Sequence, residues 1–166
     1  MGIKNFKKMI NLLDIIFEDF INYKKISMLL SFPKCNMKCN KEANKIVCHN
    51  YNLLQFKSKI YSIDDIIEKY INNDITEAIV MQGLEPLDSF NELIEFIKRF
   101  RKRSNDDIVI YTGYNKYEIE YIIEELKKYS NIIIKYGRYI PDQENHYDEI
   151  LGVNLASDNQ YAEKIS

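Results

Sequence analysis

The fold class is decided by residues 77–111, which read EAIVMQGLEPLDSFNELIEFIKRFRKRSNDDIVIY. The apolar run at 77–81 predicts a buried strand, and the turn-forming residues 83–87 end it. Apolar side chains then recur at helical spacing, namely at Leu93, Ile94, Ile97 and Phe100. This spacing predicts a helix over residues 89–103, followed by a strand at 107–111. A strand, a helix and a strand in short succession predict parallel pairing with a right-handed crossover.

The same alternation continues on both sides of this unit. Residues 26–32 (ISMLLSF) and 131–135 (NIIIK) predict two more buried strands. Ser62, with an acidic residue three positions later, predicts the start of a helix that runs to about residue 71, and a third helix is expected at 117–129. Four strands and three helices are too few for a closed eight-stranded barrel. We therefore predict an α/β fold, an open, incomplete (β/α) barrel with a mostly parallel sheet.

Composition narrows the class of protein. The chain of 166 residues is 46% hydrophobic and 29% charged, which is typical of one soluble globular domain, expected over residues 1–166. A formal net charge of -2, with Lys and Glu interleaved, argues against a nucleic-acid partner. The longest apolar stretches are too short to cross a membrane. Asp14 interrupts the apolar residues 9–17, so we do not expect a signal peptide there.

Motifs follow the predicted strands at the point where each strand ends. Cys35 comes after the first strand, Gly83 after the second and Thr112 after the third. In open α/β sheets, ligands bind at the carboxyl ends of the strands. We therefore expect these residues to share one ligand site.

All three cysteines lie in one loop, with three residues between Cys35 and Cys39 and eight between Cys39 and Cys48. An odd number of cysteines indicates a reducing compartment, so we expect a cytoplasmic protein. Three thiolates around a four-iron cube leave one iron without a protein ligand, and S-adenosylmethionine is a ligand that fits this position. A zinc site completed by His49 and a set of free thiols are the alternatives that the cysteines alone leave open.

Further motifs accompany the cysteines in a fixed order. They are DFINYKKISMLLSFPKC at 19–35, Cys48-His49-Asn50, MQGLEPL at 81–87, IVIYTGY at 108–114, KYGRY at 135–139, and the segments at 151–152 and 156–160. In this order the chain resembles the radical S-adenosylmethionine activating enzymes of anaerobic ribonucleotide reductase. The resemblance implies a fold of the radical SAM type. Three features differ from that family: it usually has two residues between its second and third cysteines, Leu84 stands where it has a second glycine, and Tyr23-Lys24-Lys25 stands where it has a Gly-Pro-Gly stretch.

The resemblance implies a cofactor and a set of site residues. A [4Fe-4S] cluster would be held by the metal ligands Cys35, Cys39 and Cys48. S-adenosyl-L-methionine would be bound by Val47, His49, Gly83, Leu84 and Glu85, of which Glu85 is expected to act structurally or to accept a hydrogen bond. The implied enzyme is a radical SAM oxidoreductase that reductively cleaves S-adenosylmethionine to a 5'-deoxyadenosyl radical, with no catalytic side chain beyond the cluster.

The resemblance also implies partners. The radical would abstract hydrogen from a glycine of a glycyl radical enzyme, an anaerobic ribonucleoside-triphosphate reductase, and a flavodoxin-like protein would supply the electron. Two other functions remain open at this point. One is a radical SAM enzyme that acts on another substrate, and the other is a non-enzymatic module that binds zinc or an iron-sulfur cluster.

Overall fold

The computed structural model describes residues 8–166, so the first seven residues of the expected domain lie outside the described residues. The strands and helices follow in chain order as β1 (Met9–Leu12), β2 (Asp14–Asp19), β3 (Ser27–Phe32), α1 (Lys38–Ala43), β4 (Lys59–Ser62), α2 (Ile63–Ile71), β5 (Ala78–Gly83), α3 (Phe90–Phe100), β6 (Asp107–Tyr111), α4 (Glu120–Leu126), β7 (Ile132–Tyr136), β8 (His146–Asp148), β9 (Val153–Leu155) and β10 (Tyr161–Lys164). Short 3-10 helices span Tyr51–Gln55, Pro86–Ser89 and Lys116–Glu118.

The central element is a six-stranded sheet in the order β10-β7-β6-β5-β3-β2. Its four inner strands, β3, β5, β6 and β7, pair in parallel. The edge strands β2 and β10 pair antiparallel to β3 and β7. Two further antiparallel pairs, β1 with β4 and β8 with β9, lie outside this sheet.

The prediction of an open, incomplete (β/α) barrel is wrong. The described residues form an open sheet of mixed direction, in which antiparallel strands flank both sides of the parallel strands. The strand and helix alternation predicts the direction in which neighbouring strands run, but it carries no signal for these edge strands. Most of β2 is solvent-exposed, and β10 has only four residues, so neither shows a buried-strand pattern.

Both faces of the sheet are covered, and successive residues of a strand alternate between them. In β3, Met28 and Leu30 join the core formed with α2, α3 and α4, whereas Leu29 joins the core on the other face. That second core includes Leu151 and Leu155, which belong to the β8–β9 region. Burial on both faces explains why the inner strands read as continuous apolar runs.

The helices begin near their predicted positions. The Ser62 hydroxyl accepts a hydrogen bond from the backbone N–H of Asp65 at 3.3 Å, which caps α2 as the sequence predicts. The predicted third helix is divided into a 3-10 turn and the shorter α4. Within residues 8–166, none of the helices is long and apolar enough to cross a membrane.

Candidate functional site

A cavity opens at the sheet edge where β3, β5, β6 and β7 end. Its volume is about 190 Å³, which is small beside the roughly 300–1,000 Å³ of typical ligand pockets. The residues that line it include Cys35, Cys39, Cys48, His49, Gly83, Leu84, Glu85, Thr112, Lys135, Arg138 and Gln160. The parallel strands therefore bring the three cysteines to the same cavity as the ends of β5, β6 and β7.

Asn40 closes the eight-residue gap between the second and third cysteines. Its side-chain oxygen accepts hydrogen bonds from the backbone N–H groups of Val47 at 2.8 Å and Cys48 at 2.9 Å. Met37 and Asn44, which flank α1, adopt left-handed conformations with φ values of 55° and 52°. These turns and the Asn40 side chain fold the loop back on itself, so that the Cys39 and Cys48 thiols interact.

The thiols are partly buried and not joined by a disulfide. The Cys35 Sγ accepts a hydrogen bond from the backbone N–H of Met37 at 3.3 Å. Burial raises the pKa of the Cys35 thiol to about 11, and burial together with the neighbouring Cys48 raises the pKa of Cys39. Because thiolates are the metal-binding form, metal binding here would release protons.

Side-chain and backbone contacts fasten the cysteine loop to the strand ends. The Asn50 amide donates to the Gly83 carbonyl at 2.7 Å, and the backbone N–H of Glu85 donates to the Lys34 carbonyl at 2.6 Å. On the other side, Arg138 forms an ion pair with Glu42 of α1 at 2.8 Å. The loop is thus attached on two sides to the residues at the strand ends, which form the floor of the cavity.

Gly83 lets the end of β5 approach β3 closely. Its φ is +100°, and an added Cβ would lie 2.5 Å from the Ser31 hydroxyl and 2.7 Å from the Phe32 nitrogen. Only glycine fits this position without strain. Leu84 follows with an ordinary backbone, since it is not among the described residues with positive φ, and its N–H donates to the Phe32 carbonyl at 3.0 Å.

Glu85 joins the ends of β5 and β6. Its side chain is only 5% exposed and accepts hydrogen bonds from the Leu87 N–H at 3.1 Å, the Thr112 hydroxyl at 2.9 Å and the Gly113 N–H at 2.8 Å. Burial raises the pKa of this carboxyl to about 7. Because these three donors engage both of its oxygens, Glu85 is a structural acceptor that holds two strand ends together.

Lys135 places a buried ammonium group in the cavity. The residue is 7% exposed, and its Nζ donates to the Gly137 carbonyl at 3.0 Å. Burial lowers the pKa of Lys135 to about 8. Arg138, the other cation that lines the cavity, is neutralised by Glu118 and Glu42. Within residues 8–166, Lys135 forms no ion pair of this kind.

The structure brings all of the site residues predicted from the sequence to one cavity, with one exception. Cys35, Cys39, Cys48, His49, Gly83, Leu84 and Glu85 line the cavity, whereas Val47 does not line it and uses its N–H to contact Asn40. Their roles as ligands of a cluster or cofactor stay predictions. Sequence reasoning missed Lys135 and Arg138 as site residues. The signal that could have identified Lys135 is a lysine at the end of an otherwise apolar strand, NIIIK.

A family comparison indicates which cofactor the chain binds. The model of a family described as 4Fe-4S single cluster domain matches residues 24–161, a range that contains all three cysteines and the four parallel strands. The chain belongs to the 4Fe-4S single cluster domain family. No curated protein and no solved structure matches the chain.

The cavity fits the [4Fe-4S] cluster of a single cluster domain. Within the described residues, no three His, Cys, Asp or Glu side chains are arranged to hold a single metal ion. The fit rests on the donor chemistry: three thiols from one loop face one cavity, and cysteine thiolates are the ligands that iron-sulfur clusters use. An iron-sulfur domain of this kind is compatible with redox enzyme activity.

Proposed function

We propose that this protein is a radical S-adenosylmethionine enzyme whose cluster is held by Cys35, Cys39 and Cys48. The observation that carries the proposal is that the chain has three cysteines, and that all three line one cavity. Three thiolates leave one iron of a four-iron cube open to a substrate. When bound, the reduced cluster would supply the electron that cleaves S-adenosylmethionine to methionine and a 5'-deoxyadenosyl radical.

Lys135 is the group that we assign to the carboxylate of S-adenosylmethionine. Lys135 feels the charge of the Glu85 carboxyl but forms no ion pair with it within residues 8–166. Burial of its ammonium is therefore incompletely compensated, and a bound carboxylate would lower that cost. The Lys135 Nζ has three protons, and the Gly137 carbonyl accepts one of them at 3.0 Å. The remaining donors are available to a ligand in the cavity that Lys135 lines.

His49 and Tyr139 offer a wall for the flat part of the ligand. Both line the cavity, and their ring centroids lie 4.3 Å apart with the rings tilted by 42°. Aromatic side chains of this kind pack against planar groups such as adenine. On the floor, Gly83 keeps the end of β5 close to β3, and Leu84, which lines the cavity, would help to exclude water.

The target that we propose is a glycine of an anaerobic ribonucleotide reductase, on which the enzyme would install a glycyl radical. A flavodoxin-like protein would provide the electron. Both partners come from the resemblance of the ordered motifs, with no nucleic acid or membrane involved. The free thiols suit a reducing cytoplasm.

Anaerobic reconstitution followed by reduction tests this function. The reduced protein should convert S-adenosylmethionine to equal amounts of 5'-deoxyadenosine and methionine, and a cognate reductase should then show a glycyl radical doublet by electron paramagnetic resonance. Lys135→Met should weaken binding of S-adenosylmethionine, whereas Lys135→Arg should retain part of it. Cleavage without a glycyl radical would point to another substrate. An intact, reducible cluster that cleaves nothing would contradict the proposal.

A further inference from the structure

Lysines crowd the cysteine loop. Lys34, Lys38, Lys41 and Lys45 each lie one to three residues from a cysteine, and Glu42 is the one acidic residue between positions 34 and 48. Consecutive α-carbons are about 3.8 Å apart, so the α-carbon of each of these lysines is within about 11 Å of a cysteine α-carbon. A protein that docks on the outside of this loop therefore meets these lysines.

Three of these lysines are available to a partner. Lys38 pairs with Glu118 at 2.8 Å. Lys34, Lys41 and Lys45 are exposed and form no ion pair within residues 8–166. These three residues are called the lysine patch here. The whole chain has a formal net charge of -2, so this positive patch lies on an otherwise acidic protein.

Exposed apolar side chains follow the lysine patch along the chain. Ile46, which directly follows Lys45, is 65% exposed, and Leu54 and Phe56 are 46% and 58% exposed. Within α1 and the 3-10 helix Tyr51–Gln55, no residue is buried. Apolar groups beside unpaired charges suit a small, transient interface that is guided by electrostatics.

We propose that the lysine patch is the docking surface for an acidic protein that delivers electrons to the cluster. This inference rests on the proposed function, in which the cluster has to be reduced. In each transfer the donor loses one electron and the cluster gains it, and no bond is formed or broken. The lysine patch belongs to the loop that carries all three proposed ligands, so a protein docked on it would lie next to the cluster, which favours an electron donor as the occupant.

The charge of the lysine patch predicts how fast an acidic donor associates with the protein. The screening length is about 8 Å at physiological ionic strength and about 30 Å at 0.01 M, so exposed ammonium groups attract an approaching acidic donor most strongly at low salt. Electrostatic steering of this kind raises association rates by roughly 10- to 1,000-fold and weakens as salt is added. The patch should therefore control how fast the donor arrives and leave the cluster itself unchanged.

Stopped-flow reduction of the reconstituted holoprotein by an acidic flavodoxin hydroquinone tests the proposal. The variant Lys34→Gln/Lys41→Gln/Lys45→Gln should lower the second-order rate of cluster bleaching about tenfold at low ionic strength, and the difference should vanish at high salt. A matched control removes three exposed lysines that precede β6 and β7, at the opposite end of these strands, in Lys102→Gln/Lys127→Gln/Lys128→Gln. This control should be reduced at the rate of the wild-type protein.

A second reductant separates this inference from the proposed function. Photoreduced 5-deazariboflavin is small and carries little charge, so it should reduce the wild-type protein and both variants at equal rates. Equal reduction of all three proteins by the flavodoxin, a loss of rate in the control alone, or no reduction of the wild-type cluster by the flavodoxin at low salt would overturn the docking surface. Failure to cleave S-adenosylmethionine after deazaflavin reduction would instead count against the proposed function.

Discussion

The cysteine loop and the floor of the cavity are built in opposite ways. In the loop, α1 buries no residue, and its conformation depends on side-chain contacts such as those of Asn40 and Asn50. The floor consists of the ends of β5, β6 and β7, whose residues are mostly buried. The Glu85 side chain links the end of β5 to the end of β6. The sheet therefore builds the floor in advance, whereas the loop has little core of its own to hold the thiols in place.

This difference separates two kinds of mutational effect. Changes in the floor should lower the free energy of unfolding, because they disturb packed backbone and buried hydrogen bonds. Changes in the loop should alter cluster binding and leave the stability of the apoprotein nearly unchanged. Four substitutions test this separation.

The largest effect is expected for Cys39→Ala. Loss of one of three thiolates should abolish assembly of the four-iron cluster, since nothing else in the sequence supplies a replacement thiol. The free energy of unfolding of the apoprotein should change by less than about 1 kcal/mol, because Cys39 is not part of the buried core. Iron and sulfide analysis with urea denaturation measures both quantities. Full iron binding by this variant would remove Cys39 from the site.

Gly83→Ala should be the most destabilising change in the floor. The added Cβ would meet the Phe32 backbone at 2.7 Å in a residue with φ of +100°, so we expect a loss of about 3 kcal/mol or more. Gly113→Ala is the matched control. Its Cβ would lie 3.4 Å from the Arg138 side chain and should cost less than about 1 kcal/mol. Urea denaturation measures both losses of stability. Equal losses for the two variants would show that the close packing at Gly83 does not set the end of β5 apart from the end of β6.

Glu85 should make stability depend on pH. Its pKa is raised from 4.5 to about 7 by burial, so the folded protein binds a proton more tightly than the unfolded chain does. Its contribution is therefore fully present below about pH 4.5 and is lost as the pH rises to 7. The stability of the wild-type protein relative to Glu85→Gln should fall by roughly 2 kcal/mol between pH 5 and pH 8. Denaturation of the two apoproteins across this range measures the difference, and a constant or rising difference would contradict the assignment.

The smallest effect of the four, taking cluster binding and stability together, is expected for Asn40→Ala. Two backbone N–H groups would lose their acceptor, at a cost of about 1 kcal/mol because the loop can admit water. Cluster occupancy should fall more clearly, since Cys48 would no longer be held near Cys39. Asn52 is an exposed residue of the 3-10 helix Tyr51–Gln55, and the control Asn52→Ala should bind iron like the wild-type protein. Undiminished iron content in Asn40→Ala would show that the cluster positions Cys48 without help.

The sequence predicts the inner strands and the shared edge of the site because both follow from local patterns. The strand at 107–111 is found at those residues, and Cys35, Gly83 and Thr112 follow parallel strands that end together. The barrel was wrong because strand order depends on long-range pairing of β2 and β10, whose sequences lack a distinctive pattern. The contacts of Asn40 also lie beyond sequence reasoning, since an asparagine in a polar loop has many possible partners.

The clearest test of the central claim is Mössbauer spectroscopy of protein reconstituted with ⁵⁷Fe, before and after addition of S-adenosylmethionine. Three thiolates on Cys35, Cys39 and Cys48 leave one iron of the cube for an external ligand. We predict four iron atoms in each protein molecule, one of which changes its spectrum when S-adenosylmethionine is added. Spectra in which all four irons are unaffected by S-adenosylmethionine, or a protein that takes up zinc and no iron, would contradict the account.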